Sequence, residues 1–273
     1  MKIVENIAEN NKNTPILIAG QTASGKSDLA FQIAEKLDGT IINADAIQVF
    51  SNWRILTARP SAEDEAKIKH KLYGHVDGDS DYSVGTWLKQ IKKILSDTSK
   101  PIIVGGTGLY FSALSEGLVD IPEIPKKIRL EADSRISKNG LESLIKEIDK
   151  ETARKIDLNN PRRVQRAWEV LISTGRGLNS WHNEKSKPIL NLNQCKTILV
   201  DGDISSFNKR ITKRFDQMME QGLIREGENN LENWNETFPS SKAIGARELI
   251  AHLQNKITVD ELKEQILIAT RQY

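Results

Sequence analysis

Residues 20–27 read Gly-Gln-Thr-Ala-Ser-Gly-Lys-Ser, two glycines followed by Lys and Ser at the spacing of a phosphate-binding loop. The flanks fix what such a loop can belong to. Pro15-Ile16-Leu17-Ile18-Ala19 is a short apolar run that predicts a buried strand, and Leu29, Ala30, Ile33, Ala34 and Leu37 recur at helical spacing. A glycine turn between a strand and a helix N-terminus aims backbone N–H groups and the positive end of the helix dipole at an anion. Gly20, Thr22, Ala23, Ser24 and Gly25 then wrap phosphate oxygens, Lys26 adds a point charge and Ser27 offers a hydroxyl to Mg²⁺.

The alternation continues. Thr40 to Ala44 predicts a second strand, Trp87 to Leu95 a helix, and Pro101 to Val104 a third strand stopped by Gly105-Gly106. A second glycine turn, Gly105-Gly106-Thr107-Gly108, leads into a helix from about Leu109. This pattern predicts an α/β fold, a P-loop NTPase-like core whose parallel sheet is flanked by helices. Ligands of such sheets bind beyond the carboxyl ends of the strands. Both glycine turns, and Asp45 after the second strand, fall at that edge. From spacing alone Asp45 is a metal-water ligand, a proton acceptor or a capping aspartate.

The character of the chain changes near Val119. Between about Lys126 and Trp181 strand patterns vanish, and helical patterns rich in Lys and Arg take over. Many of these charges alternate with acids and read as a solvated helix face. Arg162, Arg163 and Arg166 after Asn160-Pro161 differ, because they place guanidinium groups together at a helix start. Lys196 to Asp201 predicts a returning strand, and helices follow over Ser206–Met219 and Ser241–Leu253. The expected organisation is a catalytic core of residues 1–118 and 196–273, with an inserted all-helical domain at 119–195.

The net charge of +2 does not by itself announce a nucleic-acid partner. Cys195 is the only cysteine, which excludes an intramolecular disulfide and a cysteine-based zinc site. Residues 1–13 are polar with mixed charge and resemble neither a signal nor a transit peptide, and no apolar run reaches the ~20 residues of a membrane span. A cytoplasmic monomer without membrane association is expected. In the last third, Arg210 and Arg214 share one helix face, an arrangement suited to bidentate binding of oxyanions.

Together these segments resemble the tRNA dimethylallyltransferase (tRNA isopentenyltransferase) family. The resemblance rests on the phosphate loop, on Asp45, Gln48 and Phe50 in Asn-Ala-Asp-Ala-Ile-Gln-Val-Phe, and on Leu-Thr-Ala-Arg-Pro at 56–60. It extends through Tyr82-Ser83-Val84, the 105–110 glycine turn, Asn160 to Ala167, Arg210-Ile211-x-x-Arg214, Ala243-Ile244-Gly245 and Ala269 to Tyr273. It implies that the loop holds the diphosphate of dimethylallyl diphosphate, with Mg²⁺ at Ser27. It further implies that Asp45 accepts a proton from the N6 amine of the adenosine at position 37, 3′-adjacent to the anticodon. Thr107 and Arg210 complete the catalytic set. Asp45, Gln48, Arg162, Arg163, Gln165 and Arg166 are the expected contacts to the tRNA anticodon stem-loop. Departures are Gln21 for Pro, Ala44 and Ala46 around Asp45, Arg59 for Lys and Ala246 for Tyr. The family usually continues beyond the position of Tyr273, so a shortened form is expected. Three other readings are an adenylate isopentenyltransferase, a small-molecule kinase using ATP, and an RNA-binding protein without activity.

Overall fold

The computed structural model describes residues 4–5, 14–184, 186–201 and 204–272. Most of the N-terminal segment 1–13 lies outside the described residues, as does Tyr273 at the end of the Ala269–Tyr273 motif.

Five parallel strands form one sheet in the order β3-β2-β4-β1-β5. They are β1 (Ile16–Gly20), β2 (Thr40–Asn43), β3 (His70–Lys71), β4 (Pro101–Gly105) and β5 (Lys196–Val200). Ile16 lies opposite Ile102 on one side and Lys196 on the other. The period-2 alternation of a strand explains the two-sided burial. Ile16, Ile18, Ile41, Ile102 and Val104 pack against Ala30, Ile33 and Ala34 of helix Lys26–Leu37. Leu17, Ile42 and Ile103 point the other way, onto Trp87, Leu88 and Ile91 of helix Val84–Ser96.

β3 was not anticipated, because a two-residue strand of His and Lys carries no apolar pattern. The expected helix over 241–253 is also corrected. A 3₁₀ turn spans Pro239–Lys242, and the helix proper is Ala246–Leu253. Gly245 separates them at φ 89°, and a Cβ there would approach Ile266 Cδ1 to 2.8 Å.

The chain forms two compact units, Met1–Ser115 with Ile189–Tyr273, and Glu116–Pro188. It rejoins the first unit at Ile189, ahead of the returning strand at 196. The Ile189 and Leu190 N–H groups both donate to the Leu114 carbonyl, at 3.0 and 3.1 Å. In the second unit the described elements are helical, gathered on Ile124, Ala132, Leu144, Val164 and Trp168. Trp168 Nε1 donates to Glu147 Oε2, which also accepts from Arg135 Nη1, each at 2.8 Å. Arg135 lies over the Trp168 ring. Arg176 pairs with Glu184 and lies over Trp181. Part of the basic composition of this region is thus spent on holding the unit together.

At the sheet centre, a Cβ on Gly105 would sit 2.1 Å from the Ala44 carbonyl oxygen. The ends of β2 and β4 therefore touch through backbone. Gly105→Ala is expected to cost about 1–3 kcal/mol, the range for overpacking a tight site. Thermal unfolding measures it; an unchanged midpoint would mean that the two strand ends can separate freely.

Candidate active site

The loop after β1 takes the conformation its glycines permit. Gly25 lies at φ 89° and caps helix Lys26–Leu37 without any side-chain capping bond, so its first amide groups are left for an anion. Ala23 is also left-handed, at φ 61°, a strained state for a residue with a Cβ. Ser24 Oγ is buried without a partner. Lys26 Nζ donates to the Gln21 carbonyl at 3.0 Å. Burial pushes the Lys26 pKa down, the charge of Asp45 partly restores it, and Arg214 lowers it further.

Asp45 stands where β2 ends. Its Oδ1 accepts from the backbone N–H of Ile47 at 2.9 Å and of Gln48 at 3.2 Å. The buried side chain of Asn43 fixes the same turn: Oδ1 accepts from the Asp45 N–H, and Nδ2 donates to the Asp45 and Leu72 carbonyls. Trp87 Nε1 in turn donates to the Asn43 carbonyl at 2.8 Å, and the Trp87 ring stacks on Tyr110. Asp45 Oδ2 faces the second glycine turn, 3.8 Å from where a Gly106 Cβ would stand. Thr107 Oγ1 accepts from the Ala46 N–H at 3.0 Å, so the threonine also braces the loop that carries Asp45. Burial raises the pKa values of Tyr73 and Tyr110, and the Asp45 charge raises them further, so both phenols stay protonated.

Arg210 and Arg214 project from helix Ile204–Glu220. Arg210 Nη1 donates to Ser206 Oγ at 2.7 Å, while its Nε and Nη2 are buried without partners. Burial lowers the Arg214 pKa, opposed by the Asp45 charge. Two cavities meet here. The larger, about 600 Å³, is lined by Ala23 to Asp28, Arg59, Tyr73, Arg210, Lys213 and Arg214. The smaller, about 90 Å³, has Thr22, Asp45 and Gln48 among its polar lining and Leu56, Ile211, Phe215, Met218 and Ile266 as its apolar wall. Gln48 and Arg214 line both cavities. Gln48 Nε2 donates to the Thr57 carbonyl at 2.8 Å.

The first unit therefore brings together the phosphate loop, Asp45, Gln48, Thr107 and Arg210. In the second unit Asn160 caps helix Pro161–Thr174 by accepting from the Arg163 N–H. Arg162, Arg163 and Arg166 line a recess of about 450 Å³ with Lys155 and His182. Gln165 is not part of that recess lining; its Nε2 donates to Asp133 and Glu169 instead. Sequence reasoning gave no functional role to Asn43, Tyr73 or Glu226. Asn43 could have been found from the Asn-x-Asp spacing of an Asx turn; the other two leave no local pattern.

A phosphate loop faced across a sheet edge by one carboxylate and two arginines is the site of a protein that binds a phosphate-bearing ligand. The IPP transferase family model matches residues 48–273. The tRNA dimethylallyltransferase of Cereibacter sphaeroides strain KD131 is 48% identical over all of this chain and 87% of its own length. That of Paracoccus denitrificans is 48% identical over 98% of this chain and 90% of its own length. Among solved structures, the full-length tRNA isopentenylpyrophosphate transferase of Bacillus halodurans is 27% identical, with a TM-score of 0.64 over 96% of this chain and 84% of its own. A eukaryotic dimethylallyltransferase acting on tRNA is 26% identical, with a TM-score of 0.78 over 95% of this chain and 68% of its own. The chain belongs to the IPP transferase family.

Proposed function

We propose that this chain transfers a dimethylallyl group from dimethylallyl diphosphate to the N6 amine of adenosine 37 of tRNA, releasing diphosphate. The observation that supports this best is the junction of the two cavities. The cationic one, with Lys26, Arg210 and the uncapped helix N-terminus, suits a diphosphate. The smaller one has the scale of a short hydrocarbon group, and Asp45 lies on its wall. In the reaction the allylic C–O bond breaks, the N6–carbon bond forms and the N6 proton passes to Asp45. Arg210 offers its two unpartnered nitrogens, Nε and Nη2, to the charge that grows on the leaving diphosphate.

Mg²⁺ fits this arrangement. It retains several waters and draws ligands from substrate phosphates, and the exposed Ser27 hydroxyl beside the loop is the residue that would hold it. When bound it would neutralise diphosphate charge. Among the described residues no group of three or more His, Cys, Asp or Glu offers a separate metal site.

The basic recess of the second unit supports an RNA acceptor, with Arg162, Arg163 and Arg166 as phosphate contacts. The adenine must leave its stack to reach the site. No described helix is long and apolar enough to cross a membrane, and a monomer acting in the cytoplasm is the proposed working form.

The test supplies labelled dimethylallyl diphosphate with unmodified tRNA in one arm and AMP in the other. Label is expected in tRNA, dependent on Mg²⁺. Label in AMP alone would favour a free-nucleotide acceptor, and ATP hydrolysis without prenyl transfer would overturn the proposal.

A further inference from the structure

We propose that Glu226 is a positioning residue for the transfer, acting through the turn at residues 54–58 and through Gln48. The inference rests on the transferase reading above.

Glu226 belongs to helix Leu223–Leu231, far in sequence from the phosphate loop and from Asp45. Its Oε1 accepts from the backbone N–H of Arg54 at 2.6 Å and of Ile55 at 2.8 Å, and its Oε2 accepts from Leu56 at 2.9 Å. The turn closes internally only further on, where the Ala58 N–H donates to the Ile55 carbonyl and the Arg59 N–H to that of Arg54, both at 2.9 Å. Its first three amides are thus orphaned in the same sense as those of a helix N-terminus, and one carboxylate from a distant helix satisfies all three. One helical turn later, Asn230 Nδ2 donates to the Asn52 carbonyl at 3.0 Å and fixes the chain just before the turn.

The far end of the turn faces the site. The Thr57 and Ala58 carbonyls accept from Gln48 Nε2 at 2.8 and 3.3 Å, and Leu56 and Thr57 line the small cavity beside Asp45. Gln48 also donates its backbone N–H to Asp45 Oδ1. A continuous set of hydrogen bonds therefore runs from Glu226 through the turn to the amide of Gln48. The backbone of the same residue is tied to the proton acceptor. The phosphate loop is not part of this path. Glu226 lines neither cavity itself. It accordingly sets the wall against which the transferred group and the acceptor amine meet, and reaches the larger cavity only secondarily, through Gln48 and Ala58.

Glu226→Gln keeps the shape and one carbonyl oxygen but turns an amide donor toward the donor N–H of Leu56. Its kcat for tRNA prenylation is expected to fall about tenfold, the equivalent of one charge-assisted hydrogen bond. Affinity for inorganic diphosphate, measured by calorimetry, should fall much less than kcat, because Glu226 touches the larger cavity only through Gln48 and Ala58. In hydrogen exchange the amides of residues 54–56 should lose protection while those of β1 and β4 keep theirs. Glu226→Ala should extend both effects. Wild-type kcat in a folded Glu226→Gln variant would overturn the inference, as would parallel losses of kcat and diphosphate affinity, which mark a general structural role. If the wild-type chain transfers nothing to RNA, the reading beneath the inference fails and the inference falls with it; transfer by the wild type with no effect of Glu226→Gln isolates the failure to Glu226.

Discussion

Asp45→Asn is expected to reduce prenyl transfer by about 10²–10⁴-fold, the usual worth of a general base. The substitution is informative because the oxygen that holds the loop is not the one that faces the second glycine turn, where proton transfer is proposed. Oδ1 accepts from the Ile47 and Gln48 amides, and an asparagine carbonyl can take over both bonds. What disappears is the anionic capacity to receive a proton. Folding, read by thermal melting, should therefore change little, and binding of inorganic diphosphate should survive. Asp45→Ala should lose activity and also loosen the loop, because the two amides lose their acceptor. An Asp45→Asn enzyme with wild-type kcat would show that the amine proton leaves by another route.

The second large effect is on the leaving group. Lys26→Ala is expected to weaken inorganic diphosphate binding by about 10–100-fold, as for the loss of a hydrogen bond to a charged group. Lys26→Arg should not restore it, since a planar fork replaces a compact charge in a closely fitted loop. The pH dependence follows from the same side chain. Burial holds its pKa below the ordinary lysine value. The protonated ammonium is the form that attracts diphosphate. Affinity should decline as pH rises through that lowered value, earlier than an ordinary lysine would dictate. Calorimetric titration of the wild type and Lys26→Ala over the alkaline range checks this: only the wild type should show the decline. Equal diphosphate affinity in both proteins would remove Lys26 from the site.

Much of this was legible in residue order, for a physical reason in each case. β1, the loop and helix Lys26–Leu37 are encoded locally, by an apolar run, fixed glycines and a 3.6-residue period. Asp45 was legible because it ends a strand, and parallel strands share one carboxyl edge. Arg210 and Arg214 were legible as an i, i+4 pair. The part that was not legible depends on contacts between segments far apart in the chain. Nothing near Glu226 says that its carboxylate closes a turn at 54–56. At the break at Gly245, Ile266 from another helix fills the space that a Cβ would need. Thr107 shows a subtler limit: its proximity to Asp45 follows from the β2–β4 neighbourhood, but its bond to the Ala46 amide required the fold. Gln165 was expected at the RNA only through the family resemblance; that its amide meets Asp133 and Glu169 could not be read from residue order.

The anchoring of Asp45 has a consequence for the temperature dependence of the reaction. With one carboxylate oxygen committed to two amides, and Asn43 holding the turn, the side chain has little rotational freedom to lose when substrate arrives. The ordering of the proposed base is settled once, during folding, and is not repeated at each turnover. An Eyring analysis should find the activation entropy of the chemical step near zero in the wild type. It should become distinctly more negative when Asn43→Ala loosens the turn that carries the carboxylate.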